Sequence, residues 1–294
     1  MRGTFPSLAG VMTASPALEL IGRDAGGPVV LSVPHAGRDY RPEHRAKLRP
    51  PVERVTALED RLVDELAAEA GAPTLVARLP RAWIDLNRHE AEIDPGLVEG
   101  AVASRLMLTP KVRSGLGLIP RRLAGVGELW RGRLTLAEVE ARVTEVHRPY
   151  HAILTELLRD AVQRNGIAVL LDLHSMPPLA AQSSERAPQV VIGNRFGHSA
   201  AGWVTARIAG TCARFGLGWR ENSPYAGGHV VERHGAPARG IHAVQLEIDR
   251  SLYLDRSLDA CDSEGLAFCR RFVRDLVADL GAAALDSALP LAAE

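Results

Sequence analysis

Short β-type apolar runs alternate with helical patterns along the chain, and this alternation constrains the fold more than any other feature. Such alternation is typical of strands joined by helices rather than of an all-helical or all-strand protein. It predicts an α/β fold in which helices flank a central, mostly parallel or mixed sheet. The predicted strands are residues 28–33, 74–76, 83–86, 167–173, 190–192 and 243–248.

Four longer amphipathic patterns predict helices at residues 57–70, 134–165, 199–215 and 257–280, with a break near Pro149 in the second. Asn165 and Gly166 form a typical helix end. Thr56 and Glu59 have the spacing of a capping box, which predicts a helix start there. No repeat or Ser/Gly/Pro linker divides the sequence, so residues 1–294 are predicted to form a single domain.

Composition excludes several classes of protein. The 35 basic and 35 acidic side chains give no net charge, which argues against nucleic-acid or anionic-membrane partners. The longest apolar runs are far below the roughly 18 residues that span a bilayer. Cys212, Cys261 and Cys269 form neither a CxxC pair nor an even set. Reduced thiols and a cytoplasmic location are therefore expected.

Polar residues cluster where predicted strands end. His35 follows the first run, residues 85–88 end another, and His174 ends the run 167–173. Ligands of open α/β sheets gather beyond the carboxyl ends of strands, so these groups are expected to share a cleft. Two histidines with a carboxylate are a common ligand set of catalytic zinc, and Asp172 could orient a histidine ring. The alternative is that each histidine merely satisfies a strand end.

Glu247 interrupts an apolar strand, where an unpaired carboxylate is costly to bury. A role as general base next to a metal ion would compensate for that cost. The alternative is a buried salt bridge, for example to Arg250.

Arg88 is a candidate clamp for a substrate carboxylate, because its planar fork can hold both oxygens. Asn87 would add a hydrogen bond, and Asp85 is expected to hold the loop. An ordinary structural pair at a strand end would explain Arg88 and Asn87 equally simply.

The segment 222–229 combines flexible backbone with a hydrogen-bonding side chain. Gly227 and Gly228 permit close approach of backbone to a ligand, and Tyr225 can donate a hydrogen bond. Both a substrate lid and a plain surface turn fit this composition.

Seven segments in order, SVPHAGRDY, ALEDRLVDEL, WIDLNR, GLGLIPR, LLDLHSMPP, NSPYAGGH and VQLEIDR, make the chain resemble the N-formylglutamate amidohydrolase family over residues 32–250. The resemblance implies a zinc-carboxypeptidase-like (phosphorylase/hydrolase-like) fold, similar also to aspartoacylase. It implies a Zn²⁺ cofactor and hydrolysis of N-formyl-L-glutamate to formate and L-glutamate, in histidine degradation. Small N-acyl amino acids are the implied substrates.

The resemblance leaves the third metal ligand between two neighbours. The carboxypeptidase-like enzymes have HxxE, whereas here Arg38 stands three residues after His35. The family pattern favours Asp60, with Asp64 as an exposed or supporting charge. Glu59 is the alternative, although the capping box gives it a structural role.

Signatures of serine hydrolases, P-loop nucleotide hydrolases and Rossmann oxidoreductases are absent from the sequence. Two other functions compete with the formylglutamate prediction. One is a carboxypeptidase-like enzyme or a deacylase for a different N-acyl amino acid. The other is a ligand-binding protein that keeps the pocket without the metal; the presence of His35, His174 and Glu247 argues against it.

Overall fold

The computed structural model describes residues 16–181 and 187–288, which form a seven-stranded mixed sheet covered by helices on both faces. The sheet order is β1-β3-β2-β6-β9-β7-β8, and a two-stranded hairpin, β4-β5, lies outside it. The strands are β1 Leu18–Ile21, β2 Val29–Val33, β3 Thr74–Ala77, β4 Arg122–Leu123, β5 Gly127–Glu128, β6 Ala168–Met176, β7 Val190–Gly193, β8 Trp219–Glu221 and β9 Ile241–Asp249.

The four central strands β3, β2, β6 and β9 run parallel. β1 pairs antiparallel with β3 at one edge, and β7 pairs antiparallel with β9 before the parallel β8. The predicted α/β fold with a mostly parallel or mixed sheet is confirmed. Every residue of β6 is buried, as expected for a central strand covered on both faces.

Helices range from single turns to the long C-terminal α9. They are α1 Pro42–Lys47, α2 Val52–Val55, α3 Val63–Ala67, α4 Pro110–Arg113, α5 Leu136–Arg142, α6 Arg148–Asn165, α7 Gly202–Arg214, α8 His229–His234 and α9 Ser263–Ala288. The helices α6 and α8 pack on one face of the sheet, whereas α3, α7 and α9 cover the other.

Alternation along the strands supplies a separate core to each face. In β6, Leu170 belongs to the cluster that includes Leu154 of α6, whereas Leu171 belongs to the cluster that includes Phe272 and Leu276 of α9. Neighbouring residues of a strand point to opposite faces, so one apolar run fills both cores. The polar residues Asp172 and His174 take the α6 side, because Asp172 accepts from Ser32, which bonds Tyr150 of α6.

The helix expected at 57–70 is wrong in extent. Residues 56–58 form one 3₁₀ turn, the chain is extended at Glu59, and α3 begins only at Val63. The predicted capping box is also wrong, because the Thr56 hydroxyl donates to the carbonyl of Glu53. Leu62 adopts a left-handed conformation at φ 61°, which interrupts any continuous helix through this segment.

The other long helices are close to their predicted ranges. The expected break near Pro149 is a π-helical turn at Val143–His147 that joins α5 to α6 without ending the helix. A proline in the first turn of α6 has no amide hydrogen to donate to the preceding turn, which suits a change of helical hydrogen bonding there. Gly166, at φ 74°, ends α6 as predicted.

The strand predicted at 83–86 is wrong. This segment is a buried turn whose Asp85 amide donates to the carbonyl of Leu118. Within the described ranges no helix is long and apolar enough to cross a membrane. The three cysteines are free thiols. The expectation that residues 1–294 form one domain stays a prediction.

Two glycines in helices test how the backbone packs. A Cβ on Gly265, in the first turn of α9, would lie 2.1 Å from the carbonyl oxygen of Leu252, whereas a Cβ on Gly210 in α7 would meet nothing within 4 Å.

We expect Gly265→Ala to lower the free energy of unfolding by about 1–3 kcal/mol, as overpacking does. Gly210→Ala should raise it by about 0.5–1 kcal/mol. Urea denaturation of both variants measures this, and equal effects would contradict the packing described.

Candidate active site

The site is built on the register of β6 and β9, which places His174 beside Glu247 and Asp172 beside Gln245. Side chains two residues apart on a strand share a face, so all four polar groups point toward the same side of the sheet. His35 joins them from the segment after β2, the neighbour of β6. The carboxyl ends of three parallel strands therefore deliver the polar cluster.

Each of the two histidines has one ring nitrogen held by a buried carboxylate. His35 Nε2 donates to Asp85 Oδ1 at 2.7 Å, and His174 Nε2 donates to Asp172 Oδ2 at 2.8 Å. Metal-binding histidines commonly donate their second nitrogen to a carboxylate in this way, which fixes the ring and its tautomer. The arrangement leaves the Nδ1 atom of each ring for a common partner.

That partner in the structure is Asp60. Its Oδ2 lies 2.9 Å from His174 Nδ1 and 3.5 Å from His35 Nδ1, while its Oδ1 accepts from Arg250 Nη2 at 3.0 Å. His35 Nδ1 is buried and has no hydrogen-bond partner. One donor atom from each of His35, Asp60 and His174 lies within 4.8 Å of the others. Two imidazoles and a carboxylate with an orphaned nitrogen between them fit a divalent metal such as zinc.

The other acidic residues of this segment face elsewhere. Glu59 is buried, but its Oε1 accepts from the Tyr40 hydroxyl at 2.7 Å and its Oε2 lies 3.3 Å from Arg61 Nη1. Asp64 forms a bidentate pair with Arg38, at 3.0 and 2.7 Å. Arg38, which replaces the glutamate of the HxxE pattern, thus belongs to a separate ion pair.

Burial and charge pairing oppose one another in this cluster. Burial alone would raise the pKa of Asp60, but the hydrogen bond from His174 and the His35 ring 3.5 Å away hold that pKa well below its usual value. Burial would likewise lower the pKa of His174, yet Asp172 and Asp60 raise it well above the ordinary histidine value. His174 and Asp60 therefore stabilise the charged form of one another.

Glu247 is a buried carboxylate that no cation pairs with in the described part of the chain. Its Oε1 accepts from Gln245 Nε2 at 2.7 Å, and no ion pair between described residues includes it. Arg250, the salt-bridge partner considered from sequence, instead contacts Asp60 and the Ser175 hydroxyl. Burial raises the pKa of Glu247, while the nearby His174 partly offsets that rise. A buried carboxylate with a raised pKa is a stronger proton acceptor than an exposed one.

Asn87 and Arg88 both line the cleft, though each is also bound to the protein. Asn87 Nδ2 donates to Gln245 Oε1 and its Oδ1 accepts from the Val230 amide. Arg88 Nε donates to the carbonyl of Leu116, and its Nη1 donates to the carbonyl of Asn87. Arg88 Nε also lies 3.8 Å from Asp85 Oδ2, whereas no hydrogen bond within the described ranges involves Nη2, which could bind a substrate carboxylate.

The loop before α8 forms one wall of the cleft through Tyr225, Gly227 and Gly228. A Cβ on Gly228 would lie 2.4 Å from Asn87 Oδ1, so only glycine permits this approach. The Gly228 amide donates to Gln245 Oε1 at 2.8 Å, which ties the loop to β9. The role of this loop as a substrate lid stays a prediction.

The cleft encloses about 480 Å³ and also exposes cations that the sequence analysis did not select. Arg81 donates to Asp85 Oδ2 at 2.8 Å and thereby supports the His35 partner. Lys111 stands at the rim, and in the described part of the chain it forms no ion pair. Its pKa is lowered by partial burial and by Arg88 and Arg81. The sequence contains one signal that could have drawn attention to Lys111: it is one of only two lysines in the chain, beside 33 arginines.

Comparison with known proteins gives matches along most of the chain. The family model described as N-formylglutamate amidohydrolase matches residues 27–254. The N-formylglutamate deformylase of Pseudomonas aeruginosa PAO1 is 32% identical over 264 residues, covering 86% of this chain and 92% of the relative. That of Pseudomonas putida is 31% identical over 248 residues, covering 82% and 86%.

Among solved structures, the N-formylglutamate amidohydrolase of Ralstonia eutropha JMP134 superposes with a TM-score of 0.81 at 31% identity, covering 93% of this chain and 97% of that one. A protein of Agrobacterium tumefaciens, 19% identical with a TM-score of 0.60 over 90% and 94% of the two chains, shares the fold. Fold and relatives define an amidohydrolase enzyme. The chain belongs to the N-formylglutamate amidohydrolase family.

The carboxylates of Asp60 and Glu59 face different groups, so their substitution should have different effects on zinc affinity. Asp60→Asn should weaken zinc binding by more than the roughly 10–100-fold typical of changes to groups that only support a ligand. Glu59→Gln should leave zinc affinity unchanged, because Glu59 faces Tyr40 and Arg61. Competition titration with a zinc chelator measures both. Loss of zinc in Glu59→Gln but not in Asp60→Asn would move the ligand to Glu59.

Proposed function

We propose that this protein is a zinc-dependent deformylase that hydrolyses N-formyl-L-glutamate to formate and L-glutamate. The observation that carries the proposal is the cleft itself, which combines the set His35, Asp60 and His174 with an unpaired carboxylate and accessible cations. The deformylases of two Pseudomonas species, related along most of the chain, support the same substrate.

The three metal-ligand candidates would hold zinc through the two Nδ1 atoms and Asp60 Oδ2. The chemistry supplied by a bound zinc ion would be polarisation of a carbonyl and a lowered pKa of a water molecule. Asp85 and Asp172 keep both rings oriented, and Arg250 holds the second oxygen of Asp60. The protein therefore contributes a rigid ligand set before any metal arrives.

Glu247 is the proposed general base. Its position next to His174 in the β6–β9 register brings the carboxylate to the ligand set. Glu247 takes a proton from the attacking water and delivers it to the amine nitrogen as the C–N bond breaks. Water thereby adds its oxygen to the formyl carbon, and glutamate leaves with a neutral amine.

N-formylglutamate carries two carboxylates, and the cleft offers two cations for them. Arg88 presents the end of its guanidinium, and Lys111 presents an ammonium without an ion-pair partner in the described ranges. Tyr225 and the backbone of Gly227 and Gly228 line the same cleft, where they could enclose the bound substrate. We assign the two substrate carboxylates to Arg88 and Lys111.

A screen of N-formyl, N-acetyl and N-succinyl derivatives of glutamate, aspartate and glutamine against zinc-loaded protein tests the substrate. Highest kcat/KM for N-formylglutamate supports the proposal. A clear preference for another acyl group or amino acid would identify a related deacylase instead. A place in histidine degradation and a cytoplasmic location follow from the proposed activity and stay predictions.

Substitution of the two cations tests how the substrate is recognised. Arg88→Ala and Lys111→Met should each lower kcat/KM for N-formylglutamate by about 10–100-fold, since hydrogen bonds to charged groups contribute roughly 1.5–3 kcal/mol. Each variant should lose less on the analogue whose matching carboxylate is an amide, either N-formylglutamine or N-formylisoglutamine. Arg88→Lys should restore little, because lysine lacks the planar fork.

Arg113→Ala, an exposed arginine two residues after Lys111, is the matched control and should keep normal activity. If Arg88→Ala or Lys111→Met keeps the wild-type preference for the acid over both amides, the corresponding carboxylate assignment is wrong.

Glu247→Gln separates proton transfer from a structural role. The amide keeps the side-chain shape but cannot accept a proton, so kcat should fall by about 10²–10⁴-fold or more. Zinc content and melting temperature should stay near the wild-type values. The exposed Glu232→Gln serves as control. A stable, zinc-loaded Glu247→Gln protein with near-normal kcat would remove Glu247 from the mechanism.

A further inference from the structure

Five of the ten histidines gather around the Asn87–Arg88 turn, outside the lining of the catalytic cleft. Three of them form the centre of this group: His147 in the π-helical turn, His151 in α6 and His229 at the start of α8. The ring centroids of His147 and His151 are 4.5 Å apart, and those of His151 and His229 are 5.2 Å apart. His89 and His234 flank them.

Unpaired ring nitrogens point to a missing ligand in this cluster. His229 is 8% exposed, and neither of its nitrogens has a hydrogen-bond partner among the residues that the structure describes. His147 is fully buried; its Nε2 donates to the carbonyl of Arg88 at 2.8 Å, and its Nδ1 is unpartnered. A ring held by a carbonyl on one nitrogen and free on the other is the usual state of a metal-binding histidine.

Protonation does not explain the cluster. Burial lowers the pKa of His229 to about 3, with His147 adding to the effect. Burial also lowers the pKa of His147, and it holds the pKa of His151 well below the usual histidine value. Burial thus favours the neutral form of these rings, in which a nitrogen can bind a metal ion. If packing alone were required, apolar side chains would fill the space without orphaned nitrogens.

We propose that His147, His151 and His229 bind a second transition-metal ion of the zinc type, separate from the catalytic ligand set. One nitrogen from each residue lies within 4.8 Å of the others. A tetrahedral zinc site with bonds of ~2.0 Å places its ligand atoms ~3.3 Å apart, so a modest contraction completes the site. His151 would have to give up one hydrogen bond to bind the ion, because its two ring nitrogens contact Leu86 O and His234 Nε2.

Glu90 lies beside the cluster without completing it. Its Oε1 is 3.6 Å from His147 Nδ1, and Arg148 holds the same carboxylate through Nη2 at 2.9 Å. Among the described residues, the side chains that come together as ligands here are the three histidines. Three histidines with one position left for water are an established ligand set of zinc.

The site would brace the substrate-binding turn from behind. His147 donates to the carbonyl of Arg88, His151 contacts the carbonyl of Leu86, and the residue after His229 donates its amide to Asn87. An ion bound to all three histidines connects α6, this turn and α8. Its loss should therefore loosen the position of Arg88 and raise KM more than it lowers kcat.

The experiment measures zinc bound per chain in full-length protein after dialysis against Zn²⁺ and then metal-free buffer. His174→Ala removes a ligand of the catalytic set and should retain one equivalent. His174→Ala/His229→Phe should retain none, whereas His174→Ala/His198→Phe, which loses an exposed histidine outside the cluster, should keep it. Added Zn²⁺ should raise the melting temperature of His174→Ala but not that of His174→Ala/His229→Phe.

Two results would overturn the second site, and the first of them does not require the His229 variant to fold. Wild-type protein that binds a single equivalent, lost entirely in His174→Ala, means that the histidine cluster binds no zinc. A folded His174→Ala/His229→Phe protein that keeps its equivalent means that the ion is held elsewhere. Conversely, a single wild-type equivalent that survives in His174→Ala would support the cluster and count against zinc at the catalytic set.

Discussion

The parallel pairing of β6 with β9 is the interaction on which the site depends. It brings Asp172, His174, Gln245 and Glu247 onto one face of the sheet. Burying four such groups is costly unless they bind one another, and here every one of them has a hydrogen-bond partner. A shift of either strand by one residue would turn its two polar groups toward the α9 core, so the site depends on this pairing register.

Around this pair, the structure compensates buried charge through chains of contacts. Arg81 supports Asp85, Asp85 holds His35, and Asp60 joins both histidines to Arg250. Removal of one partner from such a network leaves an uncompensated charge and typically costs about 3–5 kcal/mol. The network therefore specifies side-chain positions more strictly than apolar packing would, which suits a site that must hold a ligand set in one geometry.

Strands and their polar ends could be predicted because both are local patterns. His35, His174 and Glu247 were found from their positions at or in apolar runs, and these residues meet in one cleft. The segment 83–86 misled because its apolar residues are buried as a turn, with hydrogen bonds to the distant Leu118. A run of apolar residues indicates that a segment is buried, but it does not show which distant residues form hydrogen bonds with the backbone of that segment.

Charge partners were the part that sequence could not supply. The roles of Arg81 and Lys111 depend on their neighbours in the folded chain: Arg81 donates to Asp85, and Lys111 lines the same cleft as Arg88. The choice between Asp60 and Glu59 depends on the direction of two adjacent carboxylates, which the left-handed Leu62 and the extended Glu59 define. In the helix predicted there, the two side chains would have pointed about 100° apart instead. The histidine cluster joins residues up to 82 positions apart, from His147 to His229.

The opposed contacts of Asp60 have a consequence for the lifetime of the enzyme. Arg250 grips one oxygen while the two imidazoles face the other, and outer carboxylates anchor both rings. These contacts hold the three candidate ligands in place through protein groups alone. If the proposed zinc ion binds there, its uptake and release would require no refolding, and the protein could stay folded through periods in which the ion is scarce.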